Sequence, residues 1–220
     1  MVAVADTRGA GTTVGIALGV NVLVAAVKMV AAGLTGSAAM SAAAAHSGVD
    51  CLNQVLMMVG IHRARHPDRA NAEYVWGVAA AVSMFFTGAC YAVWQGLSGL
   101  VDPGSADGLV WVAVVVLVGS MCLELVSWTR AFTQLWVGRG GLGFWAYVRS
   151  TSDTSTKATF AEDSMDLLGD VVALVGTVLA VVTGSVVFNA WAAIVVGLVI
   201  GWVAFGLGAH NTRMLRTVTV

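Results

Sequence analysis

The chain has 220 residues, of which 58% are hydrophobic and only 10% charged. A soluble domain carries roughly 25% charged residues, and no soluble core of this size buries so much apolar surface; the mean hydropathy of +0.85 points to a bilayer. A net charge of -1 offers no basic field for phosphate, which excludes nucleic acid as a partner.

A membrane span needs about 20 mostly apolar residues. Six stretches qualify: 13–34, 37–62, 74–100, 108–135, 159–183 and 185–208. The expected fold is therefore an all-α integral membrane protein, a single multi-pass domain over residues 1–220. The first stretch is too long for a signal peptide, and Thr35-Gly36-Ser37 leads straight into the second. Cys51, Cys90 and Cys122 lie in apolar runs without a CxxC spacing, so they read as buried small thiols.

Basic residues set the orientation. Arg8 precedes the first stretch. Arg63, Arg65 and Arg69 follow the second. Arg130, Arg139, Arg149 and Lys157 lie at the end of the fourth or between it and the fifth, and Arg213 and Arg216 follow the sixth. The turns after the first, third and fifth stretches, such as Asp102-Pro103-Gly104, hold no Lys or Arg. The positive-inside rule then puts both termini in the cytoplasm. The connection 138–158 is the longest expected loop, and its Ser152-Asp153-Thr154-Ser155 run is a helix cap.

The second stretch reads His46-Ser-Gly-Val-Asp50-Cys-Leu-Asn53-Gln54. On a helix these four polar residues fall within roughly a 100° arc. An imidazole and a carboxylate at i, i+4 hold one ion from one helix face. A polar stripe can also serve only to glue helices. Asp50 argues for function, because an unpaired carboxylate in hydrocarbon costs at least about 2.5–3.5 kcal/mol.

The fifth stretch carries Glu162, Asp163, Asp166 and Asp170, largely on one face, with no Lys or Arg in the span. Four carboxylates in a low dielectric cannot all ionise without a cation or bound protons. This is the strongest signal in the chain. The alternative for Glu162 and Asp163 is plain solvation at the interface. Asp170 has no evident partner. Lys28 in the first stretch, sharing a face with Asn21, and Glu124 in the fourth read as a structural ion pair. His62 and His66 sit among arginines in a solvated loop, and the Trp residues near span ends form an aromatic belt.

These motifs together resemble the cation diffusion facilitator family of divalent-metal/proton antiporters. Asn21, Lys28, Thr35-Gly36-Ser37 and His46-Ser47-xx-Asp50-xx-Asn53-Gln54 look like its first two helices. Glu73-Tyr74-Val75-Trp76 resembles its third, and Glu124 an acid of its fourth. Glu162-Asp163-Ser164, Leu167-Leu168-Gly169 and Thr183-Gly184 are similar to the branch close to zinc transporter 9. The chain departs from the family in lacking a His/Gly/Tyr-rich loop between Asp68 and Glu73, in Ala43 for an acid, in Asn189 for an Asp, and in Asp166 for a small residue. It resembles a short form without the C-terminal cytoplasmic domain.

The resemblance implies export of a divalent cation, Zn²⁺ foremost, with Cd²⁺, Mn²⁺ and Fe²⁺ as further candidates, in exchange for protons by alternating access. The metal residues are His46, Asp50 and two of Glu162, Asp163 and Asp166, with Asn53, Asp170 and Glu124 as secondary candidates. His46 supplies a nitrogen, which suits zinc better than an all-oxygen site does. Zn²⁺ is the transported ion, and no prosthetic group is expected. The partners are the metal, protons, the lipid of a bacterial plasma membrane, and a second copy. The short tail places a homodimer contact in the membrane helices, where Gly96-Leu-Ser-Gly99 and 197–201 allow close approach. The rival reading is a transporter of another solute using the acidic stripe as a proton relay. No HExxH or Ser–His set appears, so an enzyme is not expected.

Overall fold

A computed structural model describes residues 7–64, 72–102, 110–151 and 154–218. It is helical throughout these segments. The helices are α1 (Thr7–Thr35), α2 (Ala38–Ala64), α3 (Ala72–Ser83), α4 (Tyr91–Val101), α5 (Val110–Gly138), α6 (Phe144–Ser150), α7 (Thr154–Thr183) and α8 (Val187–Val218). A π-helical segment, Met84–Cys90, joins α3 to α4 without a break in backbone direction, so 72–101 forms one rod. Among the described residues four rods are long and apolar enough to cross a membrane: Tyr74–Val101, Trp111–Gly138, Phe160–Thr183 and Val187–Arg216. α1 contributes a shorter apolar helix, Asn21–Thr35. α2 is diluted by His46, Asp50, Asn53, Gln54 and Arg63, the residues that make it interesting.

Two groups of helices make the bundle. α1 packs along α2 and α5, and α7 packs along α5 and α2, closing a four-helix ring. The rod 72–101 pairs with α8, and α2 and α7 join this pair to the ring. Alanines fill both seams. Ala42, Val49, Ala92, Ala193 and Val196 knit α2 to α4 and α8, while Ala31, Ala39, Met40, Ala113, Leu117 and Ala173 fill the ring. Large apolar side chains such as Phe86, Trp111, Val182, Trp202 and Phe205 point outward. A membrane protein shows this arrangement because lipid solvates Leu and Phe as well as a core does, and close helix packing favours small residues. Gly36, with φ 60°, makes the tight turn from α1 into α2 that Thr35-Gly36-Ser37 announces.

Several expectations need correction. The connection 138–158 is mostly helical. α6 occupies its middle, and α7 begins at Thr154. Seven residues are too few for a readable periodicity. α6 is held by tertiary contact, with Val148 and Phe144 packed among Leu135, Phe132 and Phe160. Cys90 and Cys122 are not buried; they are exposed free thiols on the outer faces of their helices, and Cys51 is half-buried.

The glycines expected to serve a dimer are consumed inside the chain. A Cβ on Gly96 would stand 2.6 Å from the Ala190 carbonyl oxygen, and one on Gly197 2.9 Å from that of Ala89. They let α8 close on the rod 72–101 rather than on a second copy. Ser152, Asp153, Arg65, His66, Asp68, Arg69, Pro103 and Gly104 lie outside the described residues.

Candidate metal site

α2 and α7 cross in the interior of the bundle, and their polar stripes face each other. His46 is 7% exposed and Asp50 3%. His46 Nδ1 stands 3.5 Å from Asp50 Oδ2, one turn along α2. Its other nitrogen, Nε2, stands 3.1 Å from Asp166 Oδ1 on α7. The imidazole thus lies between two carboxylates. One ligand atom from each of His46, Asp50 and Asp166 can be chosen so that all lie within 4.8 Å of one another. In a tetrahedral zinc site with bonds near 2.0–2.2 Å, neighbouring donors lie about 3.3 Å apart. The 4.8 Å bound on the three groups is wider than that spacing, so they would have to draw together around an ion.

Position along α7 explains why these acids converge. Glu162 and Asp166 are one turn apart and share the face toward α2. Glu162 Oε1 accepts a bond of 3.5 Å from Asn53 Nδ2, so Asn53 sits one turn beyond Asp50 at the edge of the site. Gln54 also stands close to Glu162. Asp163 stands apart, next to Ser127 of α5. Its neighbour Ser164 accepts a 2.9 Å bond from Trp128 Nε1. Gly169 lies against the imidazole, where a Cβ would meet His46 Cδ2 at 3.4 Å.

Polar atoms left without a hydrogen-bond partner mark the centre of the site. Among buried side-chain atoms they include His46 Nδ1, Asp50 Oδ2 and Asp166 Oδ1, with Asn53 Oδ1 at the edge; Asp163 Oδ2, on the Ser127 side, is unpartnered too but lies outside the group. Buried polar groups are normally satisfied, so a cluster of unsatisfied acceptors is the chemistry of a cation site. Among the described residues no Lys or Arg pairs with any of these acids.

Two secondary candidates are placed elsewhere. Glu124 and Asp170 both bond Lys28, at 3.0 and 2.7 Å, deep between α1, α5 and α7. Lys28 also donates to Ser47 Oγ at 3.0 Å, and Ser120 donates to Asp170 Oδ2 at 2.6 Å. The pair Lys28–Glu124 is the one the sequence suggests. The link to Asp170 and the serines Ser47 and Ser120 are what sequence reasoning misses. One signal was available: an ammonium has three donors, and Glu124 uses one. Asn189 is likewise structural, accepting a 3.0 Å bond from Thr177 and tying α7 to α8.

The chain is similar to known proteins over most of its length. The proton-coupled zinc antiporter SLC30A9 of Xenopus laevis is 32% identical over 94% of this chain, and its human counterpart 30% over 94%. Metal tolerance protein C4 of Arabidopsis thaliana is 28% identical over 90%. The chain spans 39%, 38% and 45% of the length of these relatives. Residues 14–216 match the cation efflux transmembrane domain, and the chain belongs to that family.

Proposed function

We propose that the protein is a secondary transporter that exports a divalent metal cation, Zn²⁺ foremost, in exchange for protons. The observation that carries this reading is the His46–Asp50–Asp166 group, three metal-type donors within 4.8 Å in the interior of a membrane bundle and without a basic partner. Glu162 completes a fourth position from the same face of α7. One nitrogen with carboxylate oxygens suits a borderline ion such as Zn²⁺ better than Mg²⁺ or Ca²⁺. The relatives named as zinc antiporters agree with that donor set.

Exchange follows from charge. Acids in a dry interior need a positive charge, which a metal or protons can supply. Metal entering from a cytoplasm poor in protons displaces them, and protons arriving from the more acidic side displace the metal. Six rods as six spans, with both termini in the cytoplasm, fit the basic residues gathered on one side of the chain. We read the chain as one domain, since among the described residues α1, α2, the rod 72–101, α5, α7 and α8 pack on one another.

Calorimetry with Zn²⁺ on purified protein tests this. Wild type should bind Zn²⁺, and His46→Ala and Asp166→Asn should each lose most of that affinity. Unchanged affinity in both variants would favour the rival reading, an acidic proton relay serving another solute.

A further inference from the structure

The Lys28 network lies outside the metal group, and the exchange described above does not use it. It contains one cation and two acids, sealed from solvent: Lys28 and Asp170 are each 1% exposed and Glu124 9%. All three ammonium donors are taken, by Ser47 Oγ, Glu124 Oε1 and Asp170 Oδ1. Asp170 Oδ1 accepts from Lys28, and its Oδ2 lies 2.6 Å from Ser120 Oγ, whose single proton also has the Leu117 carbonyl within reach at 3.0 Å. Glu124 accepts on Oε1 only, and its Oε2 is buried without a partner. With every group ionised, the network holds one uncompensated negative charge in a low dielectric. Asp170, at 2.7 Å against 3.0 Å for Glu124, is the closer partner of Lys28. Glu124 Oε2 is the oxygen left over.

We infer that Glu124 is a proton-carrying site of the transport cycle, distinct from the residues that hold the metal. The charged groups facing it are Lys28 on α1 and Asp170 and Asp166 on α7; from α2, Ser47 accepts a bond from Lys28, and His46 of the metal group lies within electrostatic reach of Lys28. Asp170 lies one turn, about 6 Å, along α7 from Asp166. Without metal, a proton on Glu124 balances the network. A dication at the neighbouring group brings positive charge within that turn, and Glu124 gives the proton up. Ser47, adjacent to His46 in sequence, joins the two sites on the α2 side. This inference rests on the transport reading above and adds to it a second place for a coupled proton.

The test counts protons released per Zn²⁺ bound, in weakly buffered detergent solution, for wild type, Glu124→Gln and Glu124→Asp. Glu124→Gln, a fixed neutral mimic, should still bind Zn²⁺ while releasing about one proton fewer per ion. Glu124→Asp should restore the wild-type count. In infrared difference spectra, Zn²⁺ should bleach the carbonyl band of a protonated carboxyl group in wild type, and Glu124→Asp should shift that band. If Glu124→Gln does not fold, the shift in Glu124→Asp decides. An unchanged proton count in Glu124→Gln, or a bleached band that Glu124→Asp leaves in place, overturns the inference. Failure of wild type to bind Zn²⁺ at all would instead sink the transport reading itself.

Discussion

His46 has a carboxylate at each ring nitrogen, 3.5 and 3.1 Å away. Whatever occupies this site must satisfy Asp50 and Asp166 together with the imidazole. Replacing the nitrogen by oxygen hardens the donor set. His46→Asp should therefore retain transport while admitting Cd²⁺ or Mn²⁺ more readily, as competition assays against Zn²⁺ would record; an unchanged competition profile would count against His46 as a ligand. Metal affinity should also fall as pH is lowered, since the imidazole and the acids bind metal only after losing protons. A titration of Zn²⁺ affinity against pH that stayed flat through the acid range would contradict this. His46 and Asp50 were legible in the sequence because i, i+4 spacing on one helix needs no knowledge of the fold. The choice among Glu162, Asp163 and Asp166 was not legible. It depends on how α7 is rotated against α2 and α5, which turns Asp166 to the imidazole and Asp163 toward Ser127.

Two features of the elements could not be read from local sequence. The π-helical turn at Met84–Cys90 has no signature of its own. It places Gly88 against Ile200 and Val49, where a Cβ would meet the Ile200 methyl at 3.1 Å, and wide turns of this kind recur at working parts of membrane helices. The glycines of α4 and α8 were legible as close-approach positions but not as to their partner, which is the other helix of the same chain. Gly197→Leu should therefore cost about 1–3 kcal/mol of stability by overpacking, with no change in oligomeric mass. Chemical unfolding in detergent beside native mass spectrometry reads both, and a lost dimer at unchanged stability would restore the intermolecular role. Lys28→Met should be harsher. It leaves Asp170 and Glu124 as buried acids without a cation, and removing one partner of such a set costs about 3–5 kcal/mol. The double variant Lys28→Met/Asp170→Asn should recover part of that loss in the same unfolding assay. If it recovers none, the ion pair contributes little to holding α1 against α7.

At the scale of the whole molecule, composition was enough to place the chain in a membrane, because 10% charge and outward-facing Phe, Trp and Val leave no other solvent. The two helical groups and their junction at α2 and α7 became visible only in three dimensions. The metal group lies on those two helices, which also join the ring to the pair formed by α8 and the rod 72–101. The proposed exchange has the metal-holding side chains carry protons as well, with Glu124 as a further proton site, and transport in sealed vesicles tests that shared use. Protein reconstituted in inside-acidic liposomes should take up Zn²⁺ faster than without a gradient, lose that advantage with a protonophore, and release protons as zinc enters. Asp50→Asn should abolish zinc uptake and the coupled proton flux together. If Asp50→Asn stops zinc while a proton flux of wild-type size persists, metal and protons travel by separate routes and the account is contradicted.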